Sequence, residues 1–201
     1  MTESSDLKIG GLLLAAGGSS RLGQPKQLLN FKGKTLIRRA AETLVESNCD
    51  PIVVVLGAEI ERSTIELNGL DVNICINRNW QTGMSSSIIS GLKSLIEIQP
   101  DLDAVVIILC DQPHVTSADI NKLIEVYQDS RAAIVAAQYR ETVGVPALFS
   151  NGFFPDLMAM TDDKGARQII HRNIENVVTV DIEKAADDID TLDDANRLSL
   201  D

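Results

Sequence analysis

The sequence predicts an α/β fold: a single three-layer domain built on a mostly parallel, doubly wound sheet. Short runs rich in Val, Ile and Leu alternate with segments whose apolar residues recur at helical spacing, as repeated β–α units require. The 201 residues are 44% hydrophobic but only 3% aromatic, which suits one aliphatic core of ordinary size. Parallel strands buried on both faces favour that composition.

Taken in order, Met1–Lys8 is polar and acidic and unlike a signal peptide. It is expected as a flexible N-terminal segment ahead of one domain over residues 9–201. Ile9–Ala16 is the first strand, and the Gly-rich stretch Gly17–Lys26 follows it. Leu36, Ile37, Ala40, Ala41, Leu44 and Val45 mark a helix. Pro51–Leu56 and Val72–Ile76 are strands with a short helix, Ile60–Leu67, between them. Met84, Ile88, Ile89, Leu92, Leu95 and Ile96 form the next helical stripe.

Ala104–Leu109 is the most hydrophobic strand and is therefore expected at the centre. Ile120, Leu123, Ile124 and Tyr127 belong to a helix capped by Thr116 or Ser117. Ala132–Ala137 is another strand. From Gln138 to Asn176 the pattern loosens, with a short strand near Ala147–Phe149 and two short helices. Val177–Val180 and the segment around Ile189 are candidate edge strands. A last helix starts after Asp190, with Thr191 as N-cap and Asp194 three residues on.

Bulk properties exclude several functions. A net charge of −11 argues against a nucleic-acid partner, which calls for a basic face. No apolar run reaches membrane-spanning length. Cys49, Cys75 and Cys110 are odd in number and far apart, so neither a disulfide framework nor a zinc site is expected, even with His114 and His171. A reducing, cytoplasmic setting follows.

Chemistry concentrates where strands end, the edge at which open α/β sheets bind ligands. Gly17 and Gly18 let a backbone approach a ligand closely and present amides to phosphate. Arg21 and Lys26 supply the positive charge that a triphosphate of roughly four negative charges needs. The loop is neither Gly-x-Gly-x-x-Gly nor a P-loop, because Gln24 and Pro25 stand where Lys and Ser/Thr should follow Gly23. A plain Gly/Ser turn is the structural alternative.

Asp111, in Cys110-Asp111-Gln112-Pro113, ends the central strand where Mg²⁺ would bridge it to nucleotide phosphates, or else terminates the strand in a turn. Asp190 is the natural second carboxylate, though an acid before a helix also favours the helix dipole. Asp187 and Asp188 read as solvated. Gly83, Ser85 and Ser86, in Gly83-Met84-Ser85-Ser86-Ser87, either turn a helix N-terminus toward a nucleotide or serve as ordinary caps. Trp80 either stacks on a base or covers the core edge. Lys164 and Arg167 are cations near a helix N-terminus, where the dipole disfavours them. They suit an anionic acceptor, or ion pairs with Asp162 or Asp163. Neither histidine is assigned a catalytic role.

The run Leu14-Ala15-Ala16-Gly17, with Arg21-Leu22-Gly23 and Lys26, resembles the signature loop of nucleotidyltransferases with a GT-A/Rossmann-like fold. The marks Gly83–Ser87, Cys110–Pro113, Gly144–Phe149, Asp163–Arg167 and Asp188–Thr191 are similar to the molybdenum cofactor cytidylyltransferase-like branch. That resemblance covers nearly the whole chain. It implies transfer of CMP from CTP to the terminal phosphate of molybdenum-bound molybdopterin, with release of pyrophosphate. It implies Mg²⁺, or Mn²⁺, on Asp111 and Asp190. Lys26, Arg21 and Asp111 would be catalytic, and Ala15, Ala16, Gly17, Gly18, Ser19, Arg21, Lys26, Gly83, Ser85 and Ser86 would bind the nucleotide. Lys164 and Arg167 would bind the acceptor. Ala16 stands where guanylyl-transferring relatives carry Gly, which favours cytidine. The implied partners are a nucleoside triphosphate, a small phosphorylated acceptor and a molybdoenzyme that receives the product, with the chain a monomer or weak dimer. Another phosphorylated acceptor, such as a sugar or alcohol phosphate, and a non-catalytic CTP or GTP sensor are the alternatives.

Overall fold

The computed structural model of the chain describes residues 7–18, 25–161, 165–189 and 194. Its architecture follows from β1 (Ile9–Ala15), buried along its whole length. Leu13 and Ala15 point into one apolar core and Leu12 and Leu14 into another. A strand with apolar side chains on both faces needs helices on both sides of the sheet.

A small hairpin, β2 (Asn30–Phe31) with β3 (Lys34–Thr35), leads to α1 (Leu36–Val45). The hairpin turn, Lys32-Gly33, has φ of 49° and 85°. A turn that needs two positive φ values at Lys-Gly is a weak signal in sequence, so this hairpin was not expected. β4 (Ile52–Leu56), α2 (Ile60–Glu66) and β5 (Asn73–Ile76) follow, then α3 (Met84–Ile98) and β6 (Ala104–Leu109). The remaining elements are α4 (Ser117–Ser130), β7 (Ile134–Tyr139), β8 (Thr142–Ser150), α5 (Phe154–Met158), α6 (Ala166–Arg172) and β9 (Val177–Asp181).

Seven strands form one sheet in the order β5-β4-β1-β6-β8-β7-β9, with β6 at its centre as its hydrophobicity predicts. Among the described strands of this sheet only β8 runs antiparallel to its neighbours. One face packs on α1 and α4 through Ile37, Ala41, Leu44, Ile120, Leu123 and Ile124. The opposite face packs on α3, α5 and α6 through Ile88, Leu92, Leu95, Leu157, Ile169 and Ile170. Each such buried Leu or Ile side chain stabilises the fold by about 1.5–3 kcal/mol against solvent exposure.

Two expectations are revised. The strand near Ala147–Phe149 is the end of a nine-residue strand, Thr142–Ser150. Pro146 and Gly144 obscure it in sequence, and the β7–β8 ladder absorbs them with a register shift that pairs Ala136 with Ala147 but Ala137 with Gly144. No strand forms up to Ile189, which is instead buried in a third apolar cluster with Leu29, Phe31 and Leu36. The helix expected from Thr191 lies outside the described residues, except that Asp194 is helical. No described helix is long and apolar enough to cross a membrane.

Candidate active site

Leu14 pairs with Leu109 across β1 and β6, so the turns that follow these strands open side by side at the carboxyl edge of the sheet. From β1 the strand order runs one way to β4 and β5 and the other way to β6, which makes this edge the topological switch point.

Across the gap, Lys26 Nζ donates to Asp111 Oδ2 at 2.9 Å. Lys26 opens a single 3-10 turn, Lys26–Leu28. Behind it the buried Gln27 donates from Nε2 to the carbonyl of Ala58 at 3.3 Å, which holds the turn against the β4 side of the sheet. Asp111 Oδ1 is buried and has no hydrogen-bond partner among the described residues. A carboxylate oxygen in that state is unfavourable by itself. Its hard, anionic character fits Mg²⁺ or Mn²⁺, since magnesium takes one or two protein carboxylates and keeps waters for the rest. Among the described residues no group of three or more His, Cys, Asp or Glu is placed to hold a metal. The backbone N–H of Ile189 donates to the Asp111 carbonyl at 3.0 Å. Asp190 itself lies outside the described residues.

A cleft of about 410 Å³ opens over the pair, and Ala15, Ala16, Gly17, Lys26, Gly83 and Asp111 all line it. Trp80 forms one wall. A Cβ on Gly18 would lie 2.6 Å from the Trp80 ring, and one on Gly57 would lie 2.6 Å from Trp80 Cβ and Cγ. Gly18 therefore lets Trp80 seat against the turn after β1, and Gly57 lets it seat against the turn after β4.

The serine cluster divides its labour. The buried Asn77 donates from Nδ2 to the hydroxyls of Ser86 (2.8 Å) and Ser87 (3.0 Å), and its Oδ1 accepts from the Asn79 backbone. The Ser86 hydroxyl in turn donates to the main chain, with carbonyls at Gly83 (2.8 Å) and Asn79 (3.1 Å). Ser86 is thereby committed to the helix start, Ser85 is buried, and Ser87 is the serine that lines the cleft. Gly83 precedes α3 with φ 116° and ψ 172°, a region open essentially to glycine alone.

A second cavity of about 200 Å³ adjoins the first through Leu14, Met84 and Leu109. Arg167 lines it together with Gln112, Tyr139 and Asp188, none of which the sequence singled out for a ligand. The run Asp111-Gln112-Pro113 was the available signal for Gln112. Asp188, expected to be solvated, is exposed and also lines this cavity. Ser19, Arg21 and Lys164 lie outside the described residues. His114 packs edge-on against Phe31 with centroids 5.4 Å apart, and His171 accepts from Arg167 Nε at 3.3 Å.

Burial and the adjacent Asp111 carboxylate push the Cys110 thiol up to about 12, against a smaller downward pull from Lys26. It stays a thiol at neutral pH and is no nucleophile. Burial, with help from Asp188, also raises Tyr139, so its hydroxyl stays protonated beside Arg167. The described residues offer charge neutralisation and positioning, with no nucleophile–base pair among them.

Known proteins share this architecture. Nicotine blue oxidoreductase of Paenarthrobacter nicotinovorans is 28% identical over 197 residues, covering 94% of this chain and 95% of that one. A probable molybdenum cofactor guanylyltransferase of Bacillus mycoides (strain KBAB4) is 30% identical, over 64% of this chain and 61% of its own. Rv0371c of Mycobacterium tuberculosis H37Rv superposes with a TM-score of 0.83, and its manganese complex with 0.77. Both are 26% identical and cover 97% of this chain and 99% of that one. The family model described as the MobA-like NTP transferase domain matches residues 11–177, and the chain belongs to that family.

Proposed function

We propose that this nucleotidyltransferase-family chain transfers CMP from CTP to the phosphate of a small acceptor of the molybdopterin type, releasing pyrophosphate. The observation that carries the reading is the Lys26–Asp111 pair at 2.9 Å beneath the cleft, with Asp111 Oδ1 left without a partner among the described residues.

In this reading the triphosphate lies along Ala15, Ala16 and Gly17, which line the cleft and whose backbone amides would cradle it. Lys26 moves from Asp111 to the phosphates, offsetting charge on the departing pyrophosphate, with Arg21 assigned the same task from sequence. Asp111 and Asp190 would hold Mg²⁺, which when bound polarises the α-phosphate. An acceptor phosphate is already ionised at neutral pH, so in-line attack on the α-phosphorus needs no general base. That matches a site whose Cys110 and Tyr139 stay protonated. The second cavity, with Arg167 at its rim and Lys164 assigned from sequence, would take the acceptor.

The choice of CTP rests on Ala16, and the guanylyltransferase name of a relative makes GTP its direct rival. The experiment is pyrophosphate release with each of the four NTPs, Mg²⁺ or Mn²⁺, and molybdopterin or sugar phosphates. Release with CTP and molybdopterin supports the proposal. Nucleotide binding without release under every acceptor would turn the chain into a sensor.

A second reading follows from the relative named as an oxidoreductase, whose match spans 94% of this chain. It would require an electron donor in the same cleft. Oxidation of NADH or NADPH by the purified protein, with no pyrophosphate release, would favour it.

A further inference from the structure

β5 (Asn73–Ile76) ends the seven-stranded sheet, and among the described residues no strand pairs with its outer side. The N–H of Asn77, one residue past the strand, donates to the Leu56 carbonyl at 2.8 Å. Peptide groups alternate in direction along a strand. Asn73 and Cys75 therefore face β4 as Asn77 does, while Ile74 and Ile76 turn their N–H and C=O groups to the open edge. Their side chains lie on the face of Val54 and Leu56, their partners in the ladder, and are 40% and 48% exposed.

An edge of this kind is a template for another strand unless charge, proline or a bulge blocks it. None of these interrupts Val72–Asn77, in a chain whose net charge is −11. The other edge of the sheet is guarded. There the Ile182 N–H donates to the Gln138 carbonyl at 2.9 Å, so by the same alternation β9 turns Thr179 and the exposed Asp181 outward.

The β5 edge is also complementary to itself. A two-fold axis beside Cys75 sets two copies of the strand antiparallel, with Ile74 of each copy opposite Ile76 of the other. Each of those two residue pairs exchanges two hydrogen bonds, about four in all, and sets Ile against Ile on one face of the joined sheet. The segment is flanked by exposed charges of opposite sign, Asp71 before it and Arg78 after it. Antiparallel pairing brings Arg78 of each copy to the end of the strand where the other copy carries Asp71. A parallel pairing would set like charges together at both ends.

We propose that this edge is a self-association surface, through which two copies of the chain pair along β5 in an antiparallel, two-fold dimer that joins their sheets. A four-residue strand makes a small contact, so the dimer is weak and depends on concentration. The proposal is independent of the transferase reading, because neither Lys26 nor Asp111 takes part in the contact.

The test is sedimentation velocity of the intact protein from about 1 µM to about 500 µM, the range in which a small interface associates. The mass is expected to rise from 21.8 kDa toward twice that value. Ile74→Lys puts a charge into the pairing row, and Ile76→Pro removes an N–H that faces away from β4. Each should weaken association at least about tenfold, with a melting temperature close to that of the parent. A mass that stays at 21.8 kDa across the range overturns the proposal. So does a dimer that persists unweakened in Ile74→Lys, since its contact would lie on another face. Ile74 is a surface side chain, so that variant decides the matter even if Ile76→Pro does not fold. Neither measurement needs turnover, so failure here is distinct from a failure to release pyrophosphate.

Discussion

Ile189 donates its backbone N–H to the carbonyl of Asp111 at 3.0 Å, which ties the chain just ahead of Asp190 to the turn after β6. The same segment is held at two more points. Gln112 donates to the Ala185 carbonyl, and Lys184 Nζ reaches Asp119 Oδ2 at 2.8 Å. Two parts of the chain nearly eighty residues apart are thus fastened together beside the cleft.

Asp119 makes one of these ties sensitive to acid. Burial pushes its carboxyl up, but hydrogen bonds from Lys184 and Thr116 outweigh this and hold it below the ordinary carboxylate range. A depressed value in the folded state means stabilisation that is present above the unfolded pKa, about 4, and lost as pH falls through the lower folded value. Asp119 also completes the capping box of α4 with Thr116. Asp119→Asn is therefore expected to lower stability at pH 7 by about 0.5–2 kcal/mol. Melting curves of the two proteins should begin to converge near about pH 4 and meet once the pH is below the lower folded value. A gap that stays constant to pH 2 would refute the linkage.

Lys26→Ala and Asp111→Asn should each reduce kcat by about 10²–10³-fold under the proposed reaction, the scale of removing one preorganised charge from a transition state. Their side chains are 16% and 21% exposed, so water can partly solvate whichever partner remains. Melting temperatures should accordingly shift by only a few degrees. Full activity in both variants would remove this pair from the mechanism.

Trp80 is the only tryptophan, and it walls the cleft. Intrinsic fluorescence consequently reports on this one site. Adding the cognate nucleotide with Mg²⁺ should change the emission in a saturable way, and the base giving the tightest titration identifies the donor. Gly57→Ala would place a methyl group 2.6 Å from Trp80 Cβ. It should weaken that titration and destabilise the fold by about 1–3 kcal/mol through overpacking. An unchanged titration in Gly57→Ala would mean that the indole position does not matter to the ligand.

Gly83→Ala forces a side chain into a backbone conformation at φ 116°. The expected cost is about 1–3 kcal/mol, with a rise in nucleotide KM because the start of α3 lines the cleft. Thermal melts and initial-rate kinetics on one preparation separate the two effects. A variant as stable as the parent would show that this turn relaxes freely.

Much of the fold was legible because its signal is local. β1, β4 and β6 are continuous apolar runs, and α1, α3 and α4 repeat their apolar residues every three or four positions, so burial pattern and element type coincide. The elements that escaped are those stabilised by distant partners. β8 carries Gly144 and Pro146 and survives through pairing with both β6 and β7. Ile189 has the look of a strand residue, yet it is buried against Leu29, Phe31 and Leu36 from the other end of the chain.

The same division runs through the site. Sequence alone determined the residue types available where β1 and β6 end: a glycine loop with its lysine, and an aspartate, because strand ends and turn residues are written locally. Only the tertiary structure decided that Lys26 meets Asp111, that Ser86 is spent on the helix start while Ser87 lines the cleft, and that Gln112 reaches the carbonyls of Val145 and Ala185. Those outcomes depend on which hydrogen-bond partners arrive from remote segments, and a single chain read in order does not contain that information.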